Sequence, residues 1–169
     1  SKVEEAQVAI KLRQLLDAGL LQPSKSPWAS PLLLLRKKDG GHRVVMDYRR
    51  LNSITKKDSY PLPRIDDSLR VLGGSKYFSA MDLASGYWQV NLSPEDREKC
   101  ALISSEGLFE PTWMPQGLCN VPATFQRAMD NILGDLKMSC VLVYLDDIIV
   151  FSRTFHEHLS HLRLVFDRL

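Results

Sequence analysis

The sequence has few cysteines, little net charge and no long apolar run, and each shortage removes a class of protein. Cys100, Cys119 and Cys140 are odd in number, and none is spaced Cys-x-x-Cys. Neither a disulfide framework nor a zinc site is supported, so the thiols read as free and buried in a reducing, intracellular setting. The longest apolar stretch, residues 141–151, is interrupted by two aspartates. It is too short and too charged to span a bilayer, and no membrane is expected as a partner. No signal peptide opens the chain: Ser1-Lys2-Val3-Glu4-Glu5 is polar and starts without Met, which predicts a segment of a longer polypeptide. Internal repeats and low-complexity tracts are also absent. What remains is 169 residues with 44% hydrophobic content, enough for one domain with a proper core or for a core split between two lobes.

Net charge is only +2, which alone argues against a nucleic-acid protein. The distribution argues the other way. Residues 1–76 hold 15 Lys+Arg against 8 Asp+Glu, whereas residues 77–169 hold 7 against 12. Arg36, Lys37, Lys38, Arg43, Arg49, Arg50, Lys56 and Lys57 share one short span with only two acids, Asp39 and Asp47. The basic half could grip a phosphate backbone or a triphosphate, and the acidic half could hold metal ions. A plainer reading of part of that span is surface pairing of Arg49 and Arg50 with Asp47 or Asp58.

The acidic half carries the most informative stretch, Tyr144-Leu145-Asp146-Asp147, set between Val141-Leu142-Val143 and Ile148-Ile149-Val150-Phe151. Adjacent carboxylates held against apolar strands lose hydration and repel one another, and a cation relieves both costs. A hairpin turn alone would account for an Asp-Asp pair. Asp82 shifts the balance, because it lies toward the end of a second apolar stretch, residues 77–83, that reads as a buried strand. Carboxylates at the ends of two neighbouring strands can hold two Mg²⁺ ions about 3.5–4 Å apart, an arrangement that clamps the attacking and leaving oxygens in phosphoryl transfer. His156, His158 and His161 are not read as a metal site, since no rigid helical face unites all three with a fourth ligand.

These residues resemble a known family. Tyr-Leu-Asp-Asp at 144–147 matches the Tyr-x-Asp-Asp signature of reverse transcriptases, and Met81-Asp82-Leu83-Ala84-Ser85-Gly86-Tyr87 resembles the strand bearing their first catalytic aspartate. Other blocks follow in order: Trp28-Ala29-Ser30-Pro31, Lys37-Lys38-Asp39-Gly40, the run from Arg43 to Asn52, Tyr60-Pro61-Leu62-Pro63, Met114-Pro115-Gln116-Gly117-Leu118 and Pro122-Ala123-Thr124-Phe125-Gln126. They are similar to blocks of gypsy-like long-terminal-repeat retrotransposon and retroviral enzymes, over roughly residues 27–158.

Periodicity predicts an amphipathic helix over 2–18, with Val8, Leu12, Leu15 and Leu16 inward and Gly19 as its stop. Strands are expected at 32–36 and 43–48 around a turn at 38–41, at 77–83, at 88–92, and at 99–104 and 109–114 around Glu106-Gly107. A short helix is expected before Gly73, with Ile65, Leu69 and Leu72 inward, and another from Ser93-Pro94. Two longer helices follow: 122–136 on Phe125, Met129, Ile132, Leu133 and Leu136, and one from about His156 with Leu159, Leu162, Phe166 and Leu169 inward. This order fits an α+β fold, a polymerase palm (an antiparallel sheet backed by helices) with a strand-rich fingers lobe. The resemblance implies fingers at about 1–56 and 89–120, palm at about 57–88 and 121–169, and an absent thumb.

It also implies an enzyme, an RNA-directed DNA polymerase domain of a retroelement Pol polyprotein that adds dNTPs to a primer 3′ end. Asp82, Asp146 and Asp147 are the implied catalytic and metal residues, with two Mg²⁺ ions as cofactor and Mn²⁺ as an alternative. Lys37 and Arg43 match residues that contact the triphosphate, and Tyr87 matches the ring that excludes a 2′-hydroxyl. Gln116 matches a residue supporting nucleotide and template, and Leu145 the variable position beside the sugar and primer end. Without the motif order, Tyr87 and Trp88 would read as core aromatics and Gln116 beside Gly117 as a turn residue. Implied partners are an RNA or DNA template with primer, dNTPs, and the thumb, connection and ribonuclease H domains of the parent polyprotein. The implied location is cytoplasmic, within retroelement particles. The alternative is a non-catalytic, domesticated fragment that keeps the fold and binds nucleic acid or a protein partner.

Overall fold

Local chemistry sets where each element stops. The structure, a computed structural model, describes residues 2–36, 40–83, 85–144 and 147–169. In chain order the elements are α1 (Lys2–Asp17), β1 (Leu21–Pro23), β2 (Ser30–Arg36), β3 (His42–Met46), α2 (Arg49–Ile54), α3 (Ile65–Leu72), β4 (Tyr77–Asp82), α4 (Pro94–Arg97), β5 (Leu102–Ser104), β6 (Gly107–Pro111), α5 (Val121–Leu133), β7 (Val141–Tyr144), β8 (Asp147–Ser152) and α6 (Phe155–Arg168). Short 3₁₀ turns lie at Gly86–Gln89, Glu98–Cys100 and Gly134–Leu136. The chain divides into two units, residues 1–57 with 87–121 and residues 58–86 with 122–169. Among the described residues no helix is long and apolar enough to cross a membrane.

In the first unit, α1 ends where its glycine predicts. Gly19 sits at φ +69°; its N–H donates to the Leu16 carbonyl and that of Leu20 to the Leu15 carbonyl. That pair of bonds turns the chain back and packs Leu20 against the core cluster that includes Leu15. The sheet runs β1-β6-β5-β2-β3, antiparallel except where Ser30 and Pro31 of β2 run parallel to Leu102 and Ile103 of β5. Leu12, Leu15, Leu21, Tyr48, Cys100 and Leu102 form its core. The Tyr48 hydroxyl satisfies itself on the Cys100 carbonyl at 2.9 Å. Burial pushes the Tyr48 phenol well up and the Cys100 thiol up to about 12, and all three cysteines are free thiols.

Three expected strands are shorter than their sequence patterns. β3 stops at Met46 because Asp47 accepts the Arg49 N–H at 3.1 Å and opens α2. Lys99 falls in a 3₁₀ turn, so β5 starts only at Leu102, and β6 ends at Pro111. The strand expected at 88–92 is not one. Gly86–Gln89 forms a 3₁₀ turn, and only Asn91 makes an isolated bridge, to Trp113.

In the second unit β4, β8 and β7 form an antiparallel sheet in that order. On α5, Phe125, Met129 and Leu133 are buried as their spacing predicts, whereas Ile132 is 40% exposed. The helix stops at Leu133, ahead of Gly134 at φ +49°. α6 opens on a capping box between Thr154 and Glu157 and packs on β8 and β4. Its inward face is rotated from the expected one. His158 and Val165 are buried, while Leu159, Phe166 and Leu169 are 46%, 61% and 48% exposed. Ile65 and Leu69 of α3 are likewise exposed.

His158 takes that inward position because both ring nitrogens find hydroxyls: Nε2 lies 2.8 Å from Ser79 Oγ on β4, and Nδ1 lies 3.0 Å from Ser152 Oγ on β8. His161 Nδ1 joins at 2.7 Å from the same Ser152 hydroxyl. His158→Leu removes these partners and should destabilise the fold by about 1–3 kcal/mol, the cost of buried polar groups left unpaired. Denaturant unfolding measures it; an unchanged midpoint would show that the bridge contributes nothing.

Candidate active site

Antiparallel pairing places Asp82 of β4 directly opposite Asp147 of β8, at the last rung of the two strands. Residues so paired share a face with Cβ atoms about 4.5–5.5 Å apart, and like charges there are destabilising. Alternation puts Phe78, Ala80 and Asp82 on one face, opposite Phe151, Ile149 and Asp147. That face is open, with Phe78 52% exposed. Both carboxylates are exposed too. β4 is thus not the buried strand its composition predicts, and the cost at this rung is repulsion rather than lost hydration.

Neither carboxylate is paired with a Lys or Arg among the described residues. Two unneutralised hard oxygen donors on one open rung suit a divalent cation. Asp146 and Leu145 lie outside the described residues, as does Lys37, and no cluster of three or more metal-binding side chains occurs among the described ones.

Residues 35–169 match the family described as "Reverse transcriptase (RNA-dependent DNA polymerase)". The chain belongs to the reverse transcriptase family. It is 43% identical, over 174 aligned positions that take in 100% of it, to the retrovirus-related Pol polyprotein from transposon 297 of Drosophila melanogaster. It is 38% identical, over 92% of its length, to the Pol polyprotein from transposon gypsy of the same organism. Among solved structures, a foamy viral protease–reverse transcriptase in complex with an RNA/DNA hybrid superposes with a TM-score of 0.88 at 27% identity, over 100% of this chain. The chain spans 16% of each of those two polyproteins and 22% of that solved chain. The fold is therefore the mixed α+β polymerase fold of the family, whose members depend in general on divalent metal.

The remaining sequence candidates, Arg43, Tyr87 and Gln116, belong to the first unit. Arg43 is exposed on β3, opposite Leu35. Tyr87 is half-buried in the 3₁₀ turn. That turn starts on Gly86, which belongs to the second unit and where an added Cβ would come within 3.1 Å of the Phe125 ring. Gln116 is exposed beside Gly117, held at φ +102°. Arg49 is spent on Asp47 through a two-point pair, while Asp58 pairs with Arg127.

Sequence reasoning quoted Asn52 within a motif without giving it work. Its amide donates to the Gly117 carbonyl and accepts from the Cys119 N–H, both at 2.8 Å, so one side chain holds the loop that displays Gln116. Asp130 was missed altogether. It accepts from Tyr60, Lys137 and Gln126. Burial pushes its carboxyl up, but those hydrogen bonds outweigh burial and hold it below its usual value.

A depressed folded pKa contributes stability that is complete above the unfolded value of about 4 and is lost as pH falls through the folded value. Asp130→Asn should therefore shrink the fall in unfolding midpoint below about pH 4. The residual acid limb belongs to Asp47, held at about 2 by its Arg49 hydrogen bonds, and to Asp58 and Glu157, which are lowered likewise. An acid limb identical to wild type would rule the Asp130 carboxylate out.

Proposed function

We propose that this chain is the polymerase domain of a retroelement Pol polyprotein, an RNA-directed DNA polymerase that joins dNTPs to a primer 3′ end. The observation that carries the reading is the Asp82–Asp147 rung, two exposed carboxylates on one face with no basic partner among the described residues. On this reading the unit of residues 58–86 with 122–169 is the palm and the other unit is the fingers. Asp82, Asp146 and Asp147 hold two Mg²⁺ ions, with Mn²⁺ as a substitute. Bound there, the ions supply charge stabilisation to the attacking and leaving oxygens.

The protein's own groups do the positioning. Arg43 and Lys37 take the triphosphate, the planar guanidinium and the flexible ammonium together matching a polyanion. Tyr87 presents its ring to the sugar, Gln116 supports nucleotide and template, and Leu145 packs beside the sugar and primer end. The foamy viral relative, solved with an RNA/DNA hybrid, supports a template with primer as partner. Thumb, connection and ribonuclease H domains accompany it in the parent polyprotein, within cytoplasmic particles.

Asp82→Asn, made in the parent polymerase, should lower kcat for primer extension by more than about a hundredfold while the unfolding midpoint holds or rises, because the variant relieves the charged rung. Near-normal extension would sink the assignment. Tyr87→Ala should admit ribonucleotides, reducing discrimination by about 1–3 kcal/mol. The measurement is the ratio of kcat/KM for a matched dNTP and rNTP on one primer–template, and an unchanged ratio would leave Tyr87 a packing residue.

A further inference from the structure

β7 is an outer strand of the three-stranded sheet, with β8 as its one strand neighbour among the described residues. Alternate carbonyls of such a strand face away from the partner and need other donors. Val141 and Val143 supply two of them, and each carbonyl is met differently. The Met138 N–H donates to the Val141 carbonyl at 2.9 Å, from a backbone held at φ +64°. Gln126 Nε2, reaching from α5, donates to the Val143 carbonyl at 3.4 Å.

The two donors are tied to one carboxylate. Gln126 Nε2 also donates to Asp130 Oδ1 at 3.0 Å, while Asp130 Oδ2 accepts from the Tyr60 hydroxyl and from Lys137, the residue before Met138. Gln126 is fully buried, and its Oε1 has no hydrogen-bond partner among the described residues. A leucine of similar size would avoid that unpaired acceptor. What the amide supplies at this position is its donor.

We propose that Gln126, oriented by Asp130, is a positioning residue of the polymerase site. With Met138 it clamps the outer edge of β7 and fixes the end of the strand where Tyr144 stands opposite Asp147. A shift of that edge moves the rung that presents the carboxylates, and misplacement by about 1 Å can cost about a hundredfold in rate. This inference rests on the proposed function, since it assigns Gln126 a part in the same reaction.

The test uses the full-length parent polymerase, with Gln126→Leu removing the donor at similar volume and Gln126→Glu turning an acceptor toward Asp130. In both, kcat for primer extension falls about ten- to a hundredfold. KM for dNTP and for primer–template stays within about twofold of wild type, and the Mg²⁺ concentration for half-maximal rate rises. The Glu variant is the worse of the two. Asp130→Asn, which keeps an acceptor for the amide, loses less than Asp130→Leu. Amide hydrogen exchange at Val143 and Tyr144 accelerates while α6 and β4 stay protected. Wild-type kcat in Gln126→Leu overturns the inference, as does a rate loss accompanied by general loss of protection, which would make Gln126 a core support only. An inactive wild-type enzyme would instead overturn the proposed function, and the exchange pattern would still decide whether the clamp exists.

Discussion

Like-charge repulsion between Asp82 and Asp147 is the constraint to which the second unit answers. Two carboxylates meet on one rung only if β4 and β8 keep a single register, and a slip of one residue would turn each strand's side chains to the other face. Repulsion at the rung favours such a slip. His158 opposes it from the other face of the same two strands, bridging Ser79 on β4 and Ser152 on β8. The polar bridge is buried where the carboxylates are exposed. One helix position thus holds in place the pairing that the charges work to undo.

The parts of this arrangement legible in the sequence were those with short-range causes. Gly19 ended α1, the buried stripe of α5 followed its spacing, and Tyr144 and Asp147 flanked a hairpin. The exceptions have a common cause. On α6 the expected stripe of Leu159, Leu162 and Phe166 ignored that a histidine can be inward if hydroxyls from two strands await it. β4 read as buried because its composition is apolar, yet Phe78, Ala80 and Asp82 lie on a face of the sheet that is open there. Residues 88–92 alternate like a strand, but the turn at Gly86–Gln89 takes the first two, leaving only an isolated bridge at Asn91.

Side-chain amides carry more of the architecture than their sequence pattern suggests. Asn52 holds the loop of Gln116 with both ends of its amide, and Gln126 meets a strand edge that no other strand covers among the described residues. Each bonds to backbone groups outside the strand ladders. Periodicity cannot reveal such roles, since an amide looks equally at home in solvent, in a turn or in a core.

Gly86 leaves little room for a side chain, since an added Cβ would lie 3.1 Å from the Phe125 ring and 3.2 Å from the Leu83 Cβ, and these neighbours would have to give by a few tenths of an ångström. Tyr87, its neighbour, is only half-buried, and no backbone strain fixes its identity. A tightly packed turn thus adjoins a half-buried ring. On the proposed assignment of Tyr87 to the sugar, single substitutions at 87 would revise the choice of sugar while leaving the packing at Gly86 intact.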